Sequence, residues 1–284
     1  MKEKTEKTKD TALEGVTIST RAEQKQVEER VAIGANVVYE AIRREGDDEL
    51  HRPPAALAWS AFAAGLSMGF SFVAEALLTT YLPNQPWVPL ISRAGYCIGF
   101  LIVILGRQQL FTENTLTVIL PLLLDTTLKM LLRVLRLWGI VLAANLVGTC
   151  IFAFCIAHLP VFDAHTQGSF VAIAAAHLGR TFGTVLLRGI FAGWLIALMV
   201  WVLPAAEHSR IAVIIILTYL VGLGGLTHVV AGSTVMFFAV ATGMLSWSGY
   251  FLHFLIPVLI GNIIGGVSLV AAFAHGQVVG GKDS

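Results

Sequence analysis

One histidine sits where an ionisable group is costly. His228 ends the string Gly222-Leu223-Gly224-Gly225-Leu226-Thr227-His228, inside an otherwise apolar stretch over 211–242. Imidazole is the side chain that titrates near neutral pH, and an ionisable group at membrane depth points to function. A small weak-acid anion drawn into an apolar constriction is pushed toward its protonated form by desolvation, so a neighbouring imidazole can hand it a proton and let the neutral acid cross. A second polar interruption, Arg107-Gln108-Gln109-Leu110-Phe111-Thr112-Glu113-Asn114, lies inside an apolar stretch over 90–124. Each interruption restarts a half-helix whose free N–H groups carry roughly half a positive charge, which favours an anion at the same depth.

The elements that must position these groups are membrane spans. A crossing helix takes about 20 apolar residues, and 55–78, 137–157, 185–203 and 251–274 each supply one. The stretches 90–124 and 211–242 are too long for one helix and read as broken spans; irregular backbone at that depth needs protein or a water-filled cavity around it. The expectation is an all-α integral membrane protein of six transmembrane helices, with spans 2 and 5 discontinuous. The halves also match. Ala144-Asn145-Leu146-Val147-Gly148 resembles Gly261-Asn262-Ile263-Ile264-Gly265 at a spacing of 117, Leu110 and Leu226 lie 116 apart, and Ala64-Gly65 echoes Ala192-Gly193. Three spans per repeat is an odd number, so the repeats are inverted, and paired interruptions in inverted repeats point to a transport site at the midplane.

Composition excludes a soluble fold. Of the 284 residues 56% are hydrophobic and 13% charged, against about 45–50% and 25% in soluble domains. Residues 1–52 hold 22 of the 37 charged side chains. They read as a cytoplasmic tail, polar over 1–20, with an amphipathic helix at about 21–45 whose stripe is Val27, Val31, Val38 and Ile42 and which ends near Gly46. The pore domain spans 53–276, and 277–284 form a C-terminal tail. A net charge of +1 without a basic patch excludes nucleic acid as an obvious partner. Cys97, Cys150 and Cys155 lie in apolar runs without metal-site spacing, and no cofactor is expected. Arg43, Arg44, Arg52, Lys129, Arg133, Arg136, Arg210 and Lys282 on one side, against Arg93, Arg180 and Arg188 on the other, place both termini in the cytoplasm.

Four strings in order, Leu110-Phe111-Thr112, Gly189 to Trp201, His228, and Ile256 to Gly266, make the chain resemble the formate/nitrite transporter family. Leu57 to Ser60, Arg107 to Thr115 and Arg136 to Gly139 further resemble its YfdC-like branch. The resemblance covers about 55–275 and implies an aquaporin-like protomer, a homopentamer in the bacterial inner membrane, and a pore for small monovalent anions such as formate or nitrite, coupled to protons. It also implies His228 at the pore centre between constrictions formed by Tyr96, Phe100, Phe111 and Val221, with Thr112 and Asn262 as polar contacts. Thr227 stands where relatives often carry an acidic residue, Gly193 where they often carry Asn, and His177 with Arg180 near a vestibule lysine. Thr112, Thr227 and Asn262 are the groups expected to hold the His228 tautomer or relay its proton. Asn145 is expected to bond between helices, a use equally open to Asn262, Glu75 to face the interface, and Arg107 and Glu113 either to pair or to line the cytoplasmic mouth. A pore for another neutral or weak-acid solute and a non-conducting sensor remain as alternatives. The chain carries no HExxH or GxSxG string that would support an enzyme.

Overall fold

The computed structural model describes residues 33–272 and 275–277, and every regular element among them is helical. Helix α1 (Ala35–His51) precedes the first crossing, α2 (Pro54–Tyr81). The second crossing is built from α3 (Val88–Ser92), a 3₁₀ turn (Arg93–Tyr96) and α4 (Cys97–Leu105), then a break, then α5 (Asn114–Thr117) and α6 (Ile119–Leu124). The third is α7 (Leu128–His158); α8 (Ala164–Ala175) follows, and α9 (Phe182–Val202) is the fourth crossing. The fifth is α10 (Arg210–Leu223), a break and α11 (Val229–Ala241). The sixth starts at α12 (Trp247–Gly249) and runs through α13 (Ile256–Ile263) between two π-helical stretches. The expected six-span architecture with spans 2 and 5 broken is therefore the observed one.

Three boundaries differ from the sequence expectation. The third span begins at Leu128 rather than 137: Thr127 caps it by accepting from the Met130 N–H at 3.3 Å, and Arg136 anchors it by donating to the Leu50 carbonyl at 3.0 Å. Helix α8 was not anticipated; Asp163 starts it by accepting from the Thr166 N–H at 2.7 Å, and its Phe170 ring packs on Phe72 and Phe238. Helix α1 does not stop at Gly46. It runs on to His51 because Gly46 is where the helix lies directly on the Thr117 carbonyl, an approach that any side chain would block. Val38 and Ile42 are buried as expected, while Val27 and Val31 fall outside the described residues. On the solvent side of α1, hydrogen bonds from Arg43 and Arg44 pull the Glu40 carboxyl down to about 2.

The two breaks are the same structure made twice. Gly106, Arg107 and Gln108 donate their N–H groups to the carbonyls of Ile102, Ile104 and Val103; Gly224, Gly225 and Leu226 donate to Leu220, Gly222 and Val221. Each set is a Schellman ending, with a six-residue hydrogen bond closing over a residue in the left-handed region. That residue is Arg107 (φ 50°) in the first break and Gly225 (φ 57°) in the second. The register between the breaks is thus 118, which pairs Leu110 with His228 and not, as the sequence match had it, with Leu226.

Beyond each cap the chain turns back at mid-depth, and one asparagine holds it there. Asn145 accepts from the Phe111 N–H (3.0 Å) and donates to the carbonyls of Gln109 (2.9 Å) and Ala61 (2.7 Å). Asn262 accepts from the Val229 N–H (2.8 Å) and donates to Thr227 (3.0 Å) and Gly189 (2.8 Å). Both amides are fully buried. The helices reach one another because Gly65 lies on the backbone of Asn145 and Gly148, and Gly193 on that of Asn262.

Gly225→Ala will destabilise the protein by about 1 kcal/mol through the left-handed backbone alone, because the added carbon meets only guanidinium atoms at 3.5 Å or more. Arg107→Gly will relieve the same strain. Asn145→Leu strands a buried N–H and two carbonyls, for about 3 kcal/mol. Thermal unfolding in detergent orders the three.

Candidate functional site

The second break delivers His228 to the centre of the protein. It is 1% exposed and is the N-cap of α11: its Nδ1 accepts from the Ala231 N–H at 3.1 Å. A backbone N–H can only donate, so Nδ1 is bare and the neutral ring carries its proton on Nε2. Nε2 lies 2.7 Å from Thr112 Oγ1, which therefore accepts. Thr112 arrives from the first break, so the pair joins the two repeats across their interface. The Phe100 ring meets the imidazole edge-on at 5.1 Å.

Tyr96, Phe100 and Ile104 follow at four-residue spacing along the second crossing and form one stripe past the imidazole. Tyr96 lines a cavity of about 30 Å³ that also reaches His228 and His177. Ile104 lines a second cavity, about 260 Å³, walled by Glu45 and Glu49 of α1 and by Arg107, Gln109 and Glu113 of the first break. On that stripe Phe100, which packs on His228, lies between the residues that line the two cavities. Ile104 was missed by sequence reading, although its spacing from Phe100 was a usable signal. Val221 is fully buried behind the Leu226 N–H that its carbonyl accepts, and Phe111 packs edge-on against Trp138 at 5.7 Å.

Of the polar groups expected to hold the imidazole, only Thr112 touches it. Thr227 donates its hydroxyl to the Val185 carbonyl at 2.8 Å, and Asn262 is spent on backbone. The reason is depth: bent backbone away from water must be satisfied by neighbouring side chains, and these two do that work. For the same reason the first N–H groups of α11 are not all free, since Asn262 takes Val229 and His228 takes Ala231.

Charge gathers around the smaller cavity. His177 lines it, and Arg180 donates to the Gly225 carbonyl at 3.3 Å. Arg188, not singled out as a site residue, donates to the same carbonyl at 3.2 Å. Gly225's left-handed backbone turns that carbonyl outward to two guanidinium groups. Glu75 does not face the interface: it is 5% exposed and ion-paired with Arg93. Arg107 pairs with Glu45 at 2.9 Å rather than with Glu113.

Residues 36–276, which contain both helix breaks and the imidazole between them, match the family model described as formate/nitrite transporter. The chain belongs to the formate/nitrite transporter family. Among family members it is 42% identical over 251 residues to the "Inner membrane protein YfdC" of Escherichia coli (strain K12), covering 88% of this chain and 81% of that one. It is 29% identical over 223 residues to the "Formate channel BtFdhC" of Bacillus thuringiensis, covering 75% and 83%. The fold is that of a solved "Pentameric formate channel with formate bound" (TM-score 0.69, 22% identity, 80% of this chain and 98% of that one). It is also that of a solved "FNT family ion channel" (TM-score 0.72, 20% identity, 86% and 98%). The aquaporin-like protomer is therefore the fold of this family member too.

Nitrogen NMR of selectively labelled histidine will find His228 neutral at pH about 7 with the proton on Nε2 and a bare Nδ1. Thr112→Val removes the acceptor and costs about 1 kcal/mol of stability, which Thr112→Ser restores.

Proposed function

We propose that the protein is a membrane channel or transporter for small monovalent anions such as formate or nitrite, with passage coupled to a proton at His228. The observation that carries this reading is the His228–Thr112 hydrogen bond, which joins the two half-helix breaks beside a cavity that His228 lines with Glu75 and Arg93. An isolated charge has no water to solvate it there, so the anion must be met by fixed dipoles or neutralised. The α11 N-terminus supplies the dipole. His228 supplies the proton: gain at Nδ1 gives the imidazolium, its loss from Nε2 to the anion through the Thr112 hydroxyl leaves the neutral ring with its proton on Nδ1, and a proton taken back at Nε2 with release of the one on Nδ1 restores the tautomer that caps α11. Because Nδ1 is bonded to Ala231 N–H, the imidazolium forms only by breaking that bond, which keeps the charged state brief. The smaller cavity has room for roughly two waters, the size of a three-heavy-atom oxyanion stripped of its hydration shell.

In the same reading Tyr96, Phe100, Phe111 and Val221 form the apolar constrictions, with Ile104 added to their stripe. Thr227 and Asn262 act by holding the bend that presents His228, and His177, Arg180 and Arg188 form the vestibule that gathers anions. The division into a charged tail over 1–52, a pore domain over 53–276 and a tail over 277–284 is part of the proposal. So is assembly into a homopentamer in the bacterial inner membrane with both termini cytoplasmic. That reading is supported by the relatives' descriptions, by the arginine and lysine asymmetry, and by exposed apolar side chains such as Leu187, Phe191 and Ile216 that need lipid or a neighbouring protomer.

Formate and nitrite uptake into proteoliposomes with an imposed inward proton gradient tests it. Wild type will show proton-stimulated uptake, and His228→Asn will lose at least about tenfold in rate, the loss expected for roughly 1.4 kcal/mol at the barrier. A His228→Asn rate and pH profile equal to wild type overturns the proton role, and glycerol competing with formate favours the neutral-solute alternative.

A further inference from the structure

The cavity that contains His228 holds a carboxylate of the protein's own. Glu75 projects from α2, is 5% exposed, and lines that cavity together with Arg93, its ion-pair partner from the 3₁₀ turn Arg93–Tyr96. The contact is built in. Gly95, two residues after Arg93, lies against the backbone of Ala74 and Glu75 so closely that a side chain there would collide with it, which clamps the turn onto α2. Ser71 completes the clamp by donating to the Tyr96 carbonyl at 2.6 Å. The pairing is one-pronged: a single Arg93 nitrogen, Nη1, meets a single Glu75 oxygen, Oε1. A guanidinium has five N–H donors in a fork suited to binding a carboxylate through two oxygens. Most of the Arg93 fork is therefore not used by Glu75, and the Arg93 side chain is 25% exposed.

An ion pair kept only for stability does not need to sit in a solute pathway, since burying such a pair gains little over apolar packing. Its position has a chemical consequence. With Glu75 on Arg93 the pair has no net charge, and an incoming anion meets a fixed carboxylate at close range. The other groups bearing on the cavity are Tyr96, His177 and His228 in its wall, and Arg180 and Arg188 on the Gly225 carbonyl that also lines it. Neither Arg180 nor Arg188 has a carboxylate partner among the described residues. They draw an anion to the one cation in the wall that already holds an anion.

We propose that Arg93 is a seat for a small monovalent oxyanion or carboxylate, and that Glu75 is the built-in competitor that occupies this seat until substrate or a proton displaces it. The proposal rests on the anion-pathway reading above. When Glu75 takes a proton its carboxyl becomes neutral, the attraction that holds it on Arg93 falls, and the anion takes its place; one proton is then bound for each anion seated. An anion seated this way stands one aromatic ring, Tyr96, from the Phe100 and His228 constriction.

The test reads binding apart from transport. Purified wild type, Glu75→Gln and Arg93→Gln in detergent are titrated with formate and with nitrite, choline gluconate holding ionic strength constant, and the thermal unfolding midpoint is followed. If Glu75 fills the seat nine-tenths of the time or more, removing its charge lowers the anion concentration for half-maximal stabilisation at least about tenfold. Arg93→Gln will be flat. If Glu75→Gln does not fold, wild type carries the test: lowering the pH from about 8 to about 4.5, into the carboxyl range and still above His177, whose pKa burial holds down to about 4, strengthens its anion response. In Arg93→Gln the strengthening disappears, which ties it to the seat, and in His177→Gln it persists, which excludes His177 as its source. Equal responses in wild type and Glu75→Gln, or an acid-strengthened response that survives in Arg93→Gln, overturn the proposal. Anion stabilisation of Glu75→Gln with no flux in vesicles keeps the seat and removes the transport reading. Proton-driven flux in wild type with flat titrations throughout does the reverse.

Discussion

Everything in this protein depends on how two stretches of bent backbone are kept satisfied in a place without water. A helix that stops at mid-depth leaves carbonyls at one end and N–H groups at the other, each costing several kcal/mol if abandoned in hydrocarbon. The chain meets this twice with the same parts. A Schellman ending closes the carbonyl side over Arg107 or Gly225, and a buried asparagine, Asn145 or Asn262, collects one N–H and one carbonyl beyond the turn and ties them to a carbonyl of the neighbouring helix. Glycines at the crossings of α2 with α7 and of α9 with α13 let these asparagines reach. Small residues and amide side chains, rather than a larger hydrophobic core, are what hold such helices together in lipid.

Because the repeats share this scaffold, the place where they differ is the one the proposed function puts to work. At the shared register Leu110 occupies the first turn and His228 the second, so one tip is apolar and the other polar. The imidazole caps α11 with one nitrogen and reaches the opposite repeat with the other. A single side chain thereby holds the fold together and, in the proposed function, stands in the pathway, its protonation tied to the hydrogen bond that caps its own helix.

The surrounding charges follow the same logic of position. Arg180 and Arg188 share a carbonyl that only a left-handed residue could turn toward them. Glu75 and Arg93 are pressed together by the closeness of Gly95 to α2. On the α1 side, Arg107 reaches Glu45, so the residue that ends the first half-helix also ties the N-terminal helix to the break. Electrostatics here is organised by backbone turns more than by charge number.

Much of this was legible in the chain. Span number, the two breaks, the inverted repeat and the central histidine follow from apolar run length and from where that run is interrupted, because lipid permits so few backbone solutions. Asn145 was read correctly as a bond between helices, because an amide in an apolar run has few other uses. Sequence could not decide which atoms the remaining polar side chains would meet. Thr227 looked like a partner of the imidazole and bonds backbone instead, Asn262 was open to either use and bonds backbone, Glu75 looked like an interfacial residue and is buried on Arg93, and the repeat register shifted from 116 to 118. Helix α8 and the extension of α7 were lost among charged or mixed residues that carry no long apolar signal. Composition and run length state how much of the chain must leave water; only the packed structure decides which polar atom lies within 3 Å of which, since that depends on turns of one or two residues whose effect appears across the interface between the repeats.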